Sequence, residues 1–320
     1  MHKVFKNILG AGLAVALGVS GVAAQEFEFN IMAPAGAGGG WDSAARSVQE
    51  TMTAIGQAKS AQVYNVTGAG GTVGLAQFVS SAGGDPNQLL VGGITMVGAI
   101  ISNQAPVNLT QVTPIARLTG DPLVVVVPAS SEIQTIDDLL AAIKADVGST
   151  IWAGGSAGGA DHMLAALITG AAGGDPALVN YVAYSGGGEA LAAMLGGQVT
   201  AGVSGYGEWQ AQIESGDLRA LAISYPEPIE GIEAQPLKAL GVDVELVNWR
   251  GVFAGPDVSD EDKARLTAAF DALVASAEWK EILAARGWTD YYLPADEFAT
   301  FLTGETERVG TVLKSLGLAE

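Results

Sequence analysis

Residues 31–46 read Ile-Met-Ala-Pro-Ala-Gly-Ala-Gly-Gly-Gly-Trp-Asp-Ser-Ala-Ala-Arg, and the fold is decided here. The apolar run Phe27 to Ala33 reads as a strand, and Pro34 stops it. Gly36 and Gly38 to Gly40 follow; then Trp41, Ala44, Ala45, Val48, Met52 and Ile55 recur at helical spacing. The order is strand, glycine loop, helix. Without a Cβ in the way, such a loop brings backbone N–H groups close to a ligand. The helix start adds unpaired donors and partial positive charge, which together make an anion site that needs no lysine. A single glycine loop is equally well explained by tight packing at a helix entry.

The pattern recurs. Val63 to Val79 reads strand, Gly68-Ala69-Gly70-Gly71, helix; Ser149 to Ile168 reads strand, Gly154-Gly155-Ser156-Ala157-Gly158-Gly159, helix; Tyr181 to Leu195 reads strand, Ser185-Gly186-Gly187-Gly188, helix. The four units fall into two similarly spaced pairs, a weak internal repeat. They predict two α/β lobes, each offering two helix N-termini to a shared cleft at the carboxyl edges of parallel strands.

Outward from these units, Met1 to Ala24 reads as a cleaved secretory signal. Lys3 and Lys6 give the charged start, Ile8 to Val22 the apolar stretch, and Val22-Ala23-Ala24 the small-residue cleavage site before Gln25. The apolar stretch is short of the roughly 20 residues that span a bilayer. The export product is expected in the periplasm of a two-membrane bacterium. The chain of 320 residues has no cysteine, which excludes disulfides, thiol catalysis and cysteine metal sites. Its formal charge is −19, or −21 without the two leader lysines, which argues against nucleic acid as a partner. The same charge repels an anionic ligand at a distance, but salt screens beyond about 8–10 Å, so local donors decide.

Further along, Leu89 to Val91 is a buried strand. Thr95 after it either offers a hydroxyl to the cleft or caps a helix. Pro114 to Leu118 and Leu123 to Val127 are two apolar runs that carry the first crossover between lobes. Val199 to Val203 is a strand leading to a cleft loop at Ser204-Gly205-Tyr206-Gly207. Val244 to Ala254 is the return crossover, and its Arg250 either clamps a carboxylate or pairs with an acid of the fold. Asp260 to Ala285 reads as one long amphipathic helix ended by Gly287, Tyr291 and Leu293 as a short strand, and Asp296 to Leu316 as the closing helix. Asp42 and Arg46, four apart, read as an ion pair on one helix face.

Ser156, Asp161 and His162 suggest a hydrolase, with Gly154-Gly155-Ser156-Ala157-Gly158 spelling a nucleophile elbow. Yet His162 is the one histidine beyond the leader, and the order Ser, acid, distant His is missing. One histidine also makes no metal cluster. His162 reads instead as a donor to an anion or a helix cap. No Walker A or Gly-x-Gly-x-x-Gly motif is present, so no nucleotide cofactor is expected.

Pro34 to Asp42 with Ala45-Arg46 resembles the first signature of the tripartite tricarboxylate transporter substrate-binding proteins, the Bug family. Asn65-Val66-Thr67-Gly68-Ala69-Gly70-Gly71 resembles the second. Gly155-Ser156 through His162-Met163-Leu164, Val182 to Leu191, Leu195 to Val199 and Trp249 to Pro256 continue the likeness in order. Ala35 stands where many members carry an aromatic residue, and the loop from Ser156 to His162 differs in its small residues.

The resemblance implies an α/β, two-lobed periplasmic binding protein of type II with two crossover segments. Residues 25–121 with 249–320 form lobe 1, and residues 122–248 lobe 2. It implies no catalysis, no cofactor and no metal. The expected ligand is a small carboxylate, most simply a di- or tricarboxylate. The expected partner is a membrane permease with large and small integral subunits, and the expected state is a monomer. The ligand-binding set is Ala35, Gly36, Ala37, Gly38, Gly39, Trp41 and Asp42; Thr67, Gly68, Ala69, Gly70 and Thr95; Ser156, Gly158, Gly159 and His162; and Ser185, Gly186, Gly187 and Ser204. A sensor that passes its closed state to a membrane kinase has the same fold and ligand, and a periplasmic hydrolase is the third reading.

Overall fold

The computed structural model describes residues 27–319. The signal segment read at Met1 to Ala24 lies outside the described residues. The chain opens with β1 (Phe27–Ala33), α1 (Gly40–Ala54), β2 (Ala58–Asn65), α2 (Thr72–Ser81), β3 (Gln88–Gly93) and α3 (Ile94–Ser102). The long strand β4 (Thr113–Pro128) leads to α4 (Ile136–Ala145). A second alternating run follows: β5 (Ile151–Gly154), α5 (Ala160–Ala171), β6 (Asn180–Ala183), α6 (Gly187–Leu195), β7 (Ala201–Gly205), α7 (Tyr206–Glu214) and β8 (Leu218–Ile223). The chain returns through β9 (Val247–Ala254) and ends with α8 (Asp260–Ala275), α9 (Ala277–Arg286), β10 (Thr289–Pro294) and α10 (Ala295–Ser315).

The strands run in the order β2-β1-β3-β9-β4-β7-β5-β6, with β8 and β10 also paired to β4. Within each alternating run the pairs β1–β2, β1–β3, β5–β6 and β5–β7 are parallel. Their carboxyl ends therefore deliver the glycine loops and the starts of α1, α2, α3, α5, α6 and α7. The antiparallel strands β4 and β9 join the two halves. Ten residues of β4, Thr113 to Pro122, run beside β9, and the part from Leu123 onward pairs with β7 and β8. These are the two crossovers of a two-lobed α/β binding protein.

The two apolar runs expected at Pro114 to Leu118 and Leu123 to Val127 are one strand. Thr119-Gly120-Asp121-Pro122 between them looks like a turn in sequence. Its neighbours hold it extended instead, with Gly120 beside Trp249 and Asp121 beside Asn248. Ile115 to Val127 are buried without interruption, with Arg117, Thr119 and Asp121 among them. The long helix expected over Asp260 to Ala285 is also corrected. Ser276 breaks it in an extended conformation, and its hydroxyl accepts the Trp279 N–H at 3.1 Å to start a new helix. Ser204 and Gly205, expected in a loop, end β7, and α7 starts at once at Tyr206.

The core carries four fully buried tryptophans, Trp152, Trp209, Trp249 and Trp279. Trp249 lies edge-on to Phe298 and Phe301 of α10 and donates its indole N–H to Glu305 at 2.9 Å. That docking fixes the closing helix on the crossover strands.

Candidate functional site

A cleft of about 750 Å³ opens between the two sets of glycine loops. From the expected set, Ala35, Gly36, Gly39, Trp41, Thr67, Gly68, Ala69, Gly70 and Thr95 line one wall; Ser156, Gly159, Ser185, Gly186, Gly187 and Ser204 line the other. Ala37, Gly38, Asp42, Gly158 and His162 do not line it. For four of these the reason is a lock that each lobe builds at the same place in its loop.

In the first loop Gly38 has a φ of +83°, and its N–H donates to Asp42 Oδ2 at 2.9 Å. Asp42 also accepts from Arg46 Nε and from Asn65 Nδ2, both at 2.9 Å. Burial opposes its charge, but the bonds from Arg46, Gly38 and Asn65 win and hold its pKa below the usual carboxylate range. In the third loop Gly158 has a φ of +72°, and its N–H donates to His162 Nδ1 at 3.1 Å. The His162 ring stacks on Tyr181 with centroids 4.2 Å apart. Burial pushes its pKa down to about 4. It is therefore neutral, with Nδ1 as acceptor and the proton assigned to Nε2. A left-handed φ favours glycine at both positions. Asp42 and His162 thus shape the loops from behind. His162 is committed to Gly158, so it is not poised to activate Ser156, and this geometry gives no support to a hydrolase.

Several N–H groups at the second wall are also used internally. Gly155 N–H donates to Asp161 Oδ2 at 2.7 Å, and Ser185 N–H to Glu189 Oε2 at 3.1 Å. Ala160 N–H donates at 3.2 Å to the Thr95 hydroxyl, which comes from the opposite lobe. Of its two expected alternatives, Thr95 faces the cleft and does not cap its own helix: α3 has no side-chain cap, and the Thr95 hydroxyl reaches the start of α5 instead. On the same line of contact, a Cβ on Gly98 would fall 2.1 Å from the Gly158 carbonyl oxygen. Only glycine lets α3 approach the third loop this closely.

The sequence reading left Asp161, Glu189, Glu208, Asn103, Asn248 and Tyr184 out of the site, yet all line the cleft. Asp161 and Glu208 occupy the first turns of α5 and α7. These helices follow β5 and β7, which are adjacent in the sheet. An acid in a first helical turn is ordinarily explained by the helix dipole, so nothing in one dimension marked this pair. Burial pushes Asp161 up to about 7, against the Gly155 bond and helped by Glu208 and Asp121 nearby. Burial likewise pushes Glu208 up to about 7, helped by Asp121 and opposed by Arg250 and by bonds from Ser204 and Gly187. Beneath them, Arg250 Nη2 pairs with Asp121 Oδ2 at 2.5 Å, both side chains almost fully buried. Of the two roles open to Arg250, the acid pairing is present, and the residue also lines the cleft.

Fold and site together define a two-lobed binding protein whose cleft is built mainly from backbone at helix starts. The tripartite tricarboxylate transporter family receptor model matches residues 44–318, and the chain belongs to that family. It is 28% identical over 320 residues to protein BugT of Bordetella pertussis, covering 97% of this chain and 95% of that one. Among solved structures it is similar to Rpa4515 of Rhodopseudomonas palustris, solved with adipate. There the TM-score is 0.82 at 18% identity, over 91% of this chain and 98% of the other. It is also similar to MatC of R. palustris, solved with bound malate, with a TM-score of 0.77 at 20% identity over 89% and 98%. Among the described residues no helix is long and apolar enough to cross a membrane.

Proposed function

We propose that this chain is a periplasmic solute-binding protein. In this reading it captures a small organic carboxylate in the cleft and delivers it to a membrane permease with large and small integral subunits. The observation that carries the reading is the pair of glycine loops, one from each lobe, that open onto one cleft at the starts of α1 and α5. Helix starts of this kind hold an anion by N–H donation and dipole. Each charge-assisted hydrogen bond is worth about 1.5–3 kcal/mol when well formed. A handful suffice for micromolar binding, about −8 kcal/mol. Malate and adipate, with which the two structural relatives were solved, are small dicarboxylates, which supports the same class here.

The mechanism is closure. Residues 25–121 with 249–320 move as one body and residues 122–248 as the other, about the two crossovers at β4 and β9. The ligand bridges the walls and shifts the population toward the closed form, which the permease recognises. The ligand leaves unchanged; no residue here performs chemistry on it.

The test is a thermal-shift screen of residues 25–320 against mono-, di- and tricarboxylates, aromatic acids and amino acids. A ligand at 100 times its dissociation constant should stabilise the fold by about 2.7 kcal/mol, a shift of several degrees. Response to no carboxylate of any kind, with response to a neutral solute, would contradict the reading.

A further inference from the structure

Asp161 and Glu208 stand in the wall of an anion-binding cleft without a cation of their own. Both are half-buried and line the cleft. No ion pair among the described residues includes either acid. Their partners are neutral: the Gly155 N–H donates to Asp161 Oδ2 at 2.7 Å, and the Ser204 hydroxyl to Glu208 Oε2 at 3.4 Å. The arginine of the cleft is engaged elsewhere. Arg250 Nη2 pairs with Asp121 Oδ2 at 2.5 Å, and the guanidinium lies against the first loop, where a Cβ on Gly40 would fall 2.4 Å from Nη2. The two acids are also crowded by backbone. A Cβ on Gly187 would fall 2.1 Å from Glu208 Oε2, and one on Gly155 3.0 Å from Asp161 Oδ2.

The groups packed around the pair do not relieve it. Asp121 on β4 is a third carboxyl, buried beneath them, and its Oδ1 has no donor. Tyr181 on β6 donates its hydroxyl to the Gly155 carbonyl at 2.9 Å, and burial holds it neutral. His162 on α5 is neutral and committed to the Gly158 N–H. Glu189 on α6 accepts the Ser185 N–H, and Tyr184 lines the cleft after β6. On α9, whose end meets the start of α7 at Gly207, the Arg286 guanidinium lies over the Trp288 ring. Arg250 on β9 acts on both acids through space, against the stronger effect of burial, which already holds each near 7 in the free protein. An anion brought into this cleft adds a like charge to a wall that has no cation to spare. Closure also removes the water that screens it. A like charge at close range favours the neutral form of a carboxyl.

Resting on the carboxylate reading above, we propose that Asp161 and Glu208 couple capture to proton uptake: closing on the anion draws a proton from solvent onto this pair, and the neutral carboxyl then donates to the ligand instead of repelling it. The two walls thereby divide the work. The first offers loop N–H groups backed by the Arg250 guanidinium. The second has turned its Gly155, Ala160 and Ser185 N–H groups onto protein acceptors, and it becomes a donor only when an acid on it is protonated. An O–H from a carboxyl to a carboxylate is a charge-assisted hydrogen bond, among the strong ones. The proton returns to solvent when the ligand leaves, so the cycle balances. The closed complex presents the permease with ligand and proton together.

The experiment is calorimetric titration of residues 25–320 at pH 8 with malate, adipate, citrate, benzoate and glutamate, each in HEPES and in Tris. These buffers differ in ionisation heat, so the difference between the two titrations counts the protons taken up. The tightest binder should take up about 0.5 proton or more per ligand, and its affinity should fall about tenfold from pH 7 to pH 9. Asp161→Asn with Glu208→Gln, near-isosteric, neutral at every pH and checked for an unchanged fold by circular dichroism, should abolish the uptake and flatten the pH profile. At pH 9 this variant should bind as tightly as wild type or more tightly, which a merely structural role for the two acids would not produce. Each single substitution should remove part of the uptake. A count near zero in wild type, a release of protons, or a count unmoved by the substitutions overturns the proposal while the carboxylate reading stands. If none of the five carboxylates binds, the carboxylate reading fails and the proposal with it.

Discussion

The loop from Gly36 to Asp42 and the loop from Ser156 to His162 are one device built twice. Gly39 N–H donates to the Gly36 carbonyl, and Gly159 N–H to the Ser156 carbonyl. A left-handed glycine, Gly38 or Gly158, is locked by the side chain four residues on, Asp42 or His162. The difference lies in what stands just before the lock. In the first loop it is Trp41, buried; in the third it is Asp161, half-buried and lining the cleft. The two loops share a backbone geometry, and they differ in the side chain before the lock, an indole in one and a carboxyl in the other. The locks differ too: Asp42 is held charged by Arg46 and Asn65, whereas His162 is held neutral by burial.

The largest effect should come from the buried Asp121–Arg250 pair, which ties β4 to β9 beneath the cleft. Asp121→Ala leaves the Arg250 guanidinium buried without its counter-charge and should cost about 3 kcal/mol in urea denaturation. A loss under about 1 kcal/mol would show that water already satisfies Arg250. Next is the first lock. Asp42→Ala removes the acceptor of three hydrogen bonds and should cost about 2 kcal/mol. His162→Asn should cost less, since the Asn oxygen can still accept the Gly158 N–H. If the order is reversed, the two locks are not equivalent.

The pH dependence of the unliganded protein sharpens the comparison further. Asp161 and Glu208 titrate near 7 in the fold, well above their unfolded values. The folded state therefore holds more protons than the unfolded one between about pH 4 and 7, and stability falls as pH rises through that window. Tyr181 beside them stays neutral across it, held well above its ordinary range by burial, and burial raises the Asp121 pKa against the pull of Arg250. His162 works the other way. Its folded pKa of about 4 lies below the unfolded value, so it contributes stability that grows from about pH 4 to 6.5. With two acids against one histidine, the thermal midpoint should fall toward pH 7. Asp161→Asn with Glu208→Gln should reverse that slope, leaving the rise due to His162. The smallest effect belongs to Arg46→Ala: its guanidinium is half exposed, and the midpoint should stay within experimental scatter.

Much of the fold was legible because each unit changes period where it changes structure: an apolar strand, glycines, then helical spacing. All four loop units stand where the sequence put them. The misreadings came where tertiary neighbours overrule local signals. Gly120-Asp121-Pro122 stays extended because β9 pairs with it, and Ser276 starts a helix inside an otherwise continuous apolar stripe. Of the site, the backbone loops were readable. The acids were not: Asp161 meets Glu208 only because β5 and β7 are adjacent, and Asp121 meets Arg250 only because β4 and β9 pair.

The most direct test of the central claim is to spoil the first loop without touching the fold. A Cβ on Gly36 would meet nothing within 4 Å, and the residue lines the cleft. Gly36→Asp therefore adds a negative charge at the proposed carboxylate seat in open space. Calorimetric titration of this variant with the best carboxylate from the screen should show a loss of affinity of about 100-fold or more, with the thermal midpoint of the free protein unchanged. Wild-type affinity in Gly36→Asp would mean that the first glycine loop is not where the carboxylate binds.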